Sequence, residues 1–261
     1  MARLEGESMK RLLWFAAAVL IVGRPQLIQA QSEVTLIAPG GIRAAVEQLI
    51  PAFEKKTGIK VKATYGSGLG TKKQVTNGEA FDVPIVQPPY PEVLASGNVI
   101  ASSAKPLATI SIGVAVKKGS PKPDISTPDA VKKMLLAAKS VAYPDPSGGA
   151  AAGVQFDATM KQLGIYDQMQ KTLKRAQGGA GAMKMVASGE AEIGLTFLSE
   201  MEEPGLDVVG ALPASIAPPT SLVAFISAHA KNPDAAKKLV AFLSSKEAAA
   251  AYKAQRMQPG K

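Results

Sequence analysis

Apolar positions along the chain fall into two periods that take turns. Val34–Ala38 (VTLIA) is a short apolar run with the length of a buried strand, and Pro39-Gly40-Gly41 ends it. Ile42, Ala45, Val46, Leu49 and Phe53 then recur every three or four residues, which predicts a helix closing at Gly58. Pro51 lies inside that pattern and should kink or shorten the helix. Val61–Tyr65 reads as a second strand, and the run Gly66–Thr71 opens a short helix over Lys72–Asn77. Further strands are predicted at Asp82–Gln87, Ile110–Val116, Val141–Tyr143, Ile193–Phe197 and Ser221–Ala228. Asp145–Ala150 leads into a helix ending near Gly164, and Gly178–Gly181 into one ending at Ser188-Gly189. Asn232-Pro233 starts a helix with Leu239, Val240 and Leu243 on one face, because Asn caps well and Pro suits the first turn. Strands alternating with helices predict an α/β class with mostly parallel sheets.

Glycine-rich turns recur where a predicted strand gives way to a helix: Pro39–Gly41, Gly66–Thr71, Asp145–Gly149 and Gly178–Gly181. Glycine lets the backbone approach a ligand, and the free N–H groups of a helix start attract an anion. One such turn is ordinary αβ punctuation. Four in one chain with few other polar motifs favour an anion site between strand ends and helix starts.

The N-terminus has a different pattern. Lys10 and Arg11 precede the apolar run Leu12–Gly23, and Ile28-Gln29-Ala30 ends it before polar Gln31-Ser32-Glu33. This reads as an export signal over residues 1–30, cleaved after Ala30, with Met9 as an alternative start. The apolar run is about a dozen residues where a spanning helix needs about twenty. The 261-residue chain has no cysteine and one histidine, His229, which excludes disulfides, thiolate nucleophiles and multi-His metal sites. No metal and no cofactor is expected, and His229 reads as structural or surface. The formal charge is +9; losing four basic and two acidic side chains with residues 1–30 leaves +7. A basic exported protein without interleaved aromatic and basic motifs suits a small anionic ligand better than nucleic acid.

The segments Leu36–Ile59, Val61–Val86, Asp145–Gly153, Val186–Ser199 and Asn232–Leu243, in this order, resemble the molybdate-binding periplasmic proteins, a family of type II solute-binding proteins that includes aconitate isomerases. The resemblance implies two lobes, residues 31–108 with 214–261 and residues 109–213. The chain would cross between them near Pro106–Ile110 and Leu212–Ser221, and a hinged cleft would hold the ligand. It carries ligand contacts onto Gly40, Gly41, Ser67, Gly68, Ser147, Gly148, Gly149, Gly179, Ala180, Thr196 and Phe197. Gly41 and Phe197 stand where the family more often has a serine and a tyrosine hydroxyl. Arg43 is an added cation suited to a carboxylate, while Lys72 and Lys73 read as solvated.

Two functions fit. The first is a monomeric binding protein that delivers an anion, more readily an organic carboxylate than molybdate, to an ABC importer in the inner membrane. The second is a periplasmic isomerase of cis- and trans-aconitate. It would use Arg43 as a clamp, with Tyr65, Tyr143, Asp145 or Lys72 as the base.

Overall fold

The computed structural model describes residues 32–260; the proposed export signal and its cleavage site lie outside them. In chain order the elements are β1 (Glu33–Pro39), α1 (Arg43–Thr57), β2 (Lys60–Gly66), α2 (Gly68–Thr76), β3 (Val83–Val86), α3 (Pro91–Ala95) and β4 (Val99–Ile110). There follow β5 (Ile112–Lys117), α4 (Pro128–Ala137), β6 (Val141–Pro144), α5 (Ala151–Gln162), α6 (Tyr166–Met169), β7 (Leu173–Ala176), α7 (Gly178–Ser188), β8 (Ile193–Phe197) and β9 (Leu206–Ala211). The last are β10 (Thr220–Ser227), α8 (Pro233–Leu243), α9 (Lys246–Ala254) and β11 (Gln258–Pro259). No helix among the described residues is long and apolar enough to cross a membrane.

The strands form two sheets, ordered β11-β4-β10-β3-β1-β2 and β7-β6-β8-β5-β9. Val34–Ala38 and Val141–Tyr143 therefore lie in different sheets. The chain passes from the first to the second through Ser111 alone and returns over residues 212–219. The expectation of mostly parallel sheets needs correcting. β1 pairs in parallel with β2 and β3, and β6 with β7 and β8. All pairs involving β10, β4 and β5 are antiparallel. The reason lies at the crossings: β5 and β10, the strands by which the chain enters each sheet after a crossing, run against that sheet's βαβ half, while β4, on the far side of β10, runs with it.

Pro51 does not end α1, which continues to Thr57 and closes on Gly58 in the left-handed conformation. Ala45, Val46, Leu49 and Phe53 are buried as their spacing requires, and Phe53 meets Phe242 of α8 at 5.6 Å between ring centres. In the second sheet Tyr143 packs edge-on to Phe156 of α5 at 5.2 Å. The inner parallel strands are covered on both faces, so all four residues of β3 and of β6 are buried, while the parallel edge strands β2 and β7 are only partly so.

Candidate functional site

The parallel half of each sheet delivers its strand ends to one place. Pro39, Gly66 and Gln87, at or just past the ends of β1, β2 and β3, line a cavity of about 730 Å³ together with Pro144, Ala176 and Phe197 from the ends of β6, β7 and β8. Ligands in α/β folds bind at the carboxyl ends of such strands. The starts of α1, α2, α5 and α7 follow directly on these ends.

Those four helices share a property that the others lack. None of them carries an acidic residue in its first turn. Each of the other five α-helices among the described residues does: Glu92, Asp129, Asp167, Asp234 and Glu247. Side chains also leave α1, α5 and α7 uncapped. The first turns facing the cavity thus carry no acid of their own, and three of the four lack a side-chain cap; α2 is capped by Ser67.

Two guanidinium groups line the cavity from opposite sheets. Arg43 opens α1 and is 61% exposed; its Nε donates to Glu47 Oε1 at 2.8 Å, and its guanidinium lies 5.4 Å from the centre of the Tyr65 ring. That bond occupies Nε and leaves the two terminal nitrogens for a ligand. Arg175, in β7, donates through Nη2 to Gln170 at 3.1 Å and lies 5.9 Å from the centre of the Tyr143 ring.

Of the residues expected at the site, Gly40, Gly41, Arg43, Ser67, Gly68, Gly148, Gly179 and Phe197 line the cavity, as do Tyr65 and Asp145. Ser67 caps α2 by accepting from Gly70 N at 3.1 Å, which leaves its hydroxyl hydrogen free to donate. Ser147, Gly149, Ala180, Thr196 and Tyr143 are not among the lining residues. The Ser147 hydroxyl is turned to Asp145 Oδ1 at 2.8 Å, and Thr196 donates to Glu200. Gly41 packs so closely that a side chain there would come within 2.9 Å of Ile110 Cδ1 and 3.3 Å of the Phe197 ring, so a serine would have to push the Ile110 methyl aside.

The candidate bases separate by environment. Burial and the nearby Glu47 push the Tyr65 hydroxyl up, so it stays protonated, and it has no hydrogen-bond partner. Tyr143 is pushed up to about 12, by burial first and then by Asp157, whose carboxylate accepts its hydroxyl at 3.2 Å. Hydrogen bonds from Ser147 hold Asp145 below the usual carboxylate range, which makes it a weak base. Lys72 is not solvated as expected. It is 6% exposed, its pKa is lowered by desolvation, and it does not line the cavity. His229 bonds Asn98 Oδ1 at 3.0 Å, away from the cavity.

Four lining residues with polar side chains escaped the sequence reading: Gln87, Arg175, Gln177 and Glu200. Gln87 is 3% exposed, and neither amide atom has a partner. An unpaired buried amide costs about 1–3 kcal/mol, a cost that a polar ligand in the cavity would relieve.

The model of the bacterial extracellular solute-binding proteins matches residues 34–257. The chain belongs to that family. An aconitate isomerase from Pseudomonas sp. is 32% identical over 258 residues, 95% of this chain and 97% of its own length. The molybdate-binding protein ModA of Azotobacter vinelandii is 28% identical over 85% of this chain and 88% of its own. Among solved structures, the Azotobacter vinelandii periplasmic molybdate-binding protein superposes with a TM-score of 0.72 at 22% identity, covering 87% of this chain and all of that one. At that identity the likeness speaks for the fold alone: two α/β lobes of a type II solute-binding protein. The strand-end cavity of this family member is lined by guanidinium, amide and carboxylate groups together with the hydroxyls of Tyr65 and Ser67.

Proposed function

We propose that this solute-binding family member is exported to the periplasm, binds a tricarboxylate between its lobes and interconverts cis- and trans-aconitate. The observation that carries this reading is the charge of the cavity. Four helix starts without acidic residues and two guanidinium groups on separate walls, with the carboxylates of Asp145 and Glu200 at other places on the lining, suit an anion whose charges are spread over several groups, which three carboxylates supply. The likeness to a Pseudomonas aconitate isomerase over nearly the whole of both chains supports the same reading. A compact tetrahedral oxyanion is normally ringed by hydroxyl and backbone donors, and Gly41 and Phe197 offer no hydroxyl.

The lobes of this reading are residues 31–108 with 214–261 and residues 109–213, closing about the two crossings. Residues 1–30 are the export signal. The test is the purified mature chain with trans-aconitate, followed by proton NMR. cis-Aconitate should accumulate to equilibrium, and Arg43→Ala and Arg175→Ala should each raise KM about tenfold or more, the loss of one hydrogen bond to a charged group. No conversion would overturn the reading.

The 28% identity to a ModA favours a second reading, capture of an anion for an ABC importer without chemistry. Calorimetric titration separates the two: tight molybdate binding that survives Arg43→Ala, with no turnover of aconitate, belongs to the importer reading alone.

A further inference from the structure

The isomerisation needs a proton to leave one carbon of the substrate and arrive at another. Aconitate carries a methylene group and a vinylic carbon on either side of its central carbon. Breaking a methylene C–H bond sends its electron pair into a new double bond. The old double bond's pair then takes a proton at the former vinylic carbon. One proton is removed and one returned, so neither an oxidant nor a further reactant is required. A single carboxylate within reach of both carbons suffices.

Glu200 has the placement for this. It ends the short 3-10 turn Leu198–Glu200 that follows β8, and it lines the cavity. Its carboxylate lies between two of the glycine turns. A methyl group on Gly179, in the first turn of α7, would overlap Oε2, and one on Gly40 would come within 3.6 Å of Oε1. The absence of a side chain at Gly179 is what admits the carboxylate, while a methyl group at Gly40 would only touch it. Thr196 Oγ1 donates to Oε2 and fixes its orientation, leaving Oε1 on the Gly40 side. No cation pairs with this carboxylate among the described residues, whereas Arg43 and Arg175 line the same cavity.

We propose that Glu200 takes the methylene proton from the bound tricarboxylate and returns it at the other end of the allylic system, an assignment that rests on the isomerase reading above. Burial raises its pKa, against the lowering effect of Thr196 and the Phe197 backbone. A carboxylate desolvated in this way is a stronger base than one in water. The other titratable or charged side chains facing the cavity are Arg43, Tyr65, Asp145 and Arg175. A guanidinium offers no base, Tyr65 stays protonated, and Asp145 is committed to Ser147. Glu200 is the remaining titratable group on the lining without a committed partner other than Thr196.

Glu200→Gln keeps the side chain's size and an oxygen for Thr196 but cannot take a proton. With trans-aconitate as substrate, kcat should fall about 10²–10⁴-fold, the range for loss of a general base. The calorimetric Kd for trans-aconitate should stay within a few-fold of wild type. Turnover by Glu200→Gln within tenfold of wild type would overturn the assignment and leave the isomerase reading standing. A wild-type chain that binds trans-aconitate without converting it would overturn the isomerase reading itself. Should Glu200→Gln fail to fold, judged by its thermal transition, Glu200→Asp decides. Withdrawing the carboxylate by one methylene should lower kcat at least tenfold and move the acidic limb of the pH profile. Wild-type kcat with an unchanged profile in Glu200→Asp would overturn the assignment.

Discussion

Asp82 holds together the part of the first sheet that supports the cavity. It is 3% exposed and just precedes β3. Its carboxylate accepts from Thr35 N at 2.8 Å, Thr35 Oγ1 at 2.7 Å, Lys231 N at 2.6 Å and Asn232 N at 3.2 Å, tying β1 to the start of α8. Burial alone would raise its pKa, but these hydrogen bonds outweigh burial and hold it below the usual carboxylate value. The folded pKa is lower than the unfolded one, so the stabilisation is complete above the unfolded value of about 3.9 and is lost as pH falls through the folded pKa. Urea denaturation should therefore show a stability that is flat in this contribution near neutrality and falls below about pH 4. Asp82→Asn places an amide N–H against these donors. It should cost about 2–3 kcal/mol at pH 7 and flatten the acid limb. Equal acid sensitivity in the variant and the wild type would overturn this assignment.

At the scale of elements, the acid-free first turns set helix stability against binding. Ala150 is the N-cap of α5, lines the cavity and makes no side-chain cap bond. Its extended backbone, φ −69° and ψ 112°, suits a capping side chain. Ala150→Ser should stabilise the protein by about 1 kcal/mol and leave trans-aconitate binding nearly unchanged. Ala150→Asp should stabilise it at least as much, but weaken the ligand tenfold or more, since like charges at a few ångströms cost on the order of kcal/mol even when partly screened. If Ala150→Asp bound trans-aconitate as tightly as Ala150→Ser, the helix starts would not be what attracts the anion. The elements that build the cavity were legible in the sequence because each is a strand or helix buried by its own period. β1, β3, β8 and β10 are largely apolar runs, β2 alternates between exposed and half-buried positions, and α1, α5, α7 and α8 carry apolar stripes. β4 was hidden because its long outer stretch is exposed on both faces, with Lys105 and Pro106 inside it, and its pairing with β10 shifts register. β7 and β9 are short and only partly buried, so neither gives a clean alternation. Within the site, the glycine turns and Arg43 lie beside a motif and could be read. Arg175, Gln87 and Glu200 sit at strand ends or just beyond them, and only the meeting of two sheets makes them neighbours.

The two lobes touch each other across the cavity. Ser199 Oγ, after β8, donates to the Gly41 carbonyl at 2.7 Å, and Leu69 N of α2 donates to the Gly149 carbonyl at 3.1 Å. Arg256, near the C-terminus, donates to the Met201 carbonyl at 3.3 Å. These three bonds join segments that belong to different sheets, so they exist only when the lobes are together, and a ligand that binds between the lobes shares that condition. The closed arrangement must then be stabilised by the ligand in proportion to its preference for the closed form, and anything that weakens closure lowers the apparent affinity by the same factor. Ser199→Ala tests this without touching the cavity wall, because Ser199 does not line it. Loss of one hydrogen bond worth about 0.5–1.5 kcal/mol should weaken trans-aconitate binding roughly two- to tenfold. In small-angle scattering the ligand-free chain should be more expanded than the chain with saturating trans-aconitate, and Ser199→Ala should widen that difference. An unchanged Kd in Ser199→Ala, with a radius of gyration that ignores the ligand, would mean that the lobes stay together with or without the ligand and without the Ser199 bond. The cavity would then be a preformed site rather than one that closes on its substrate.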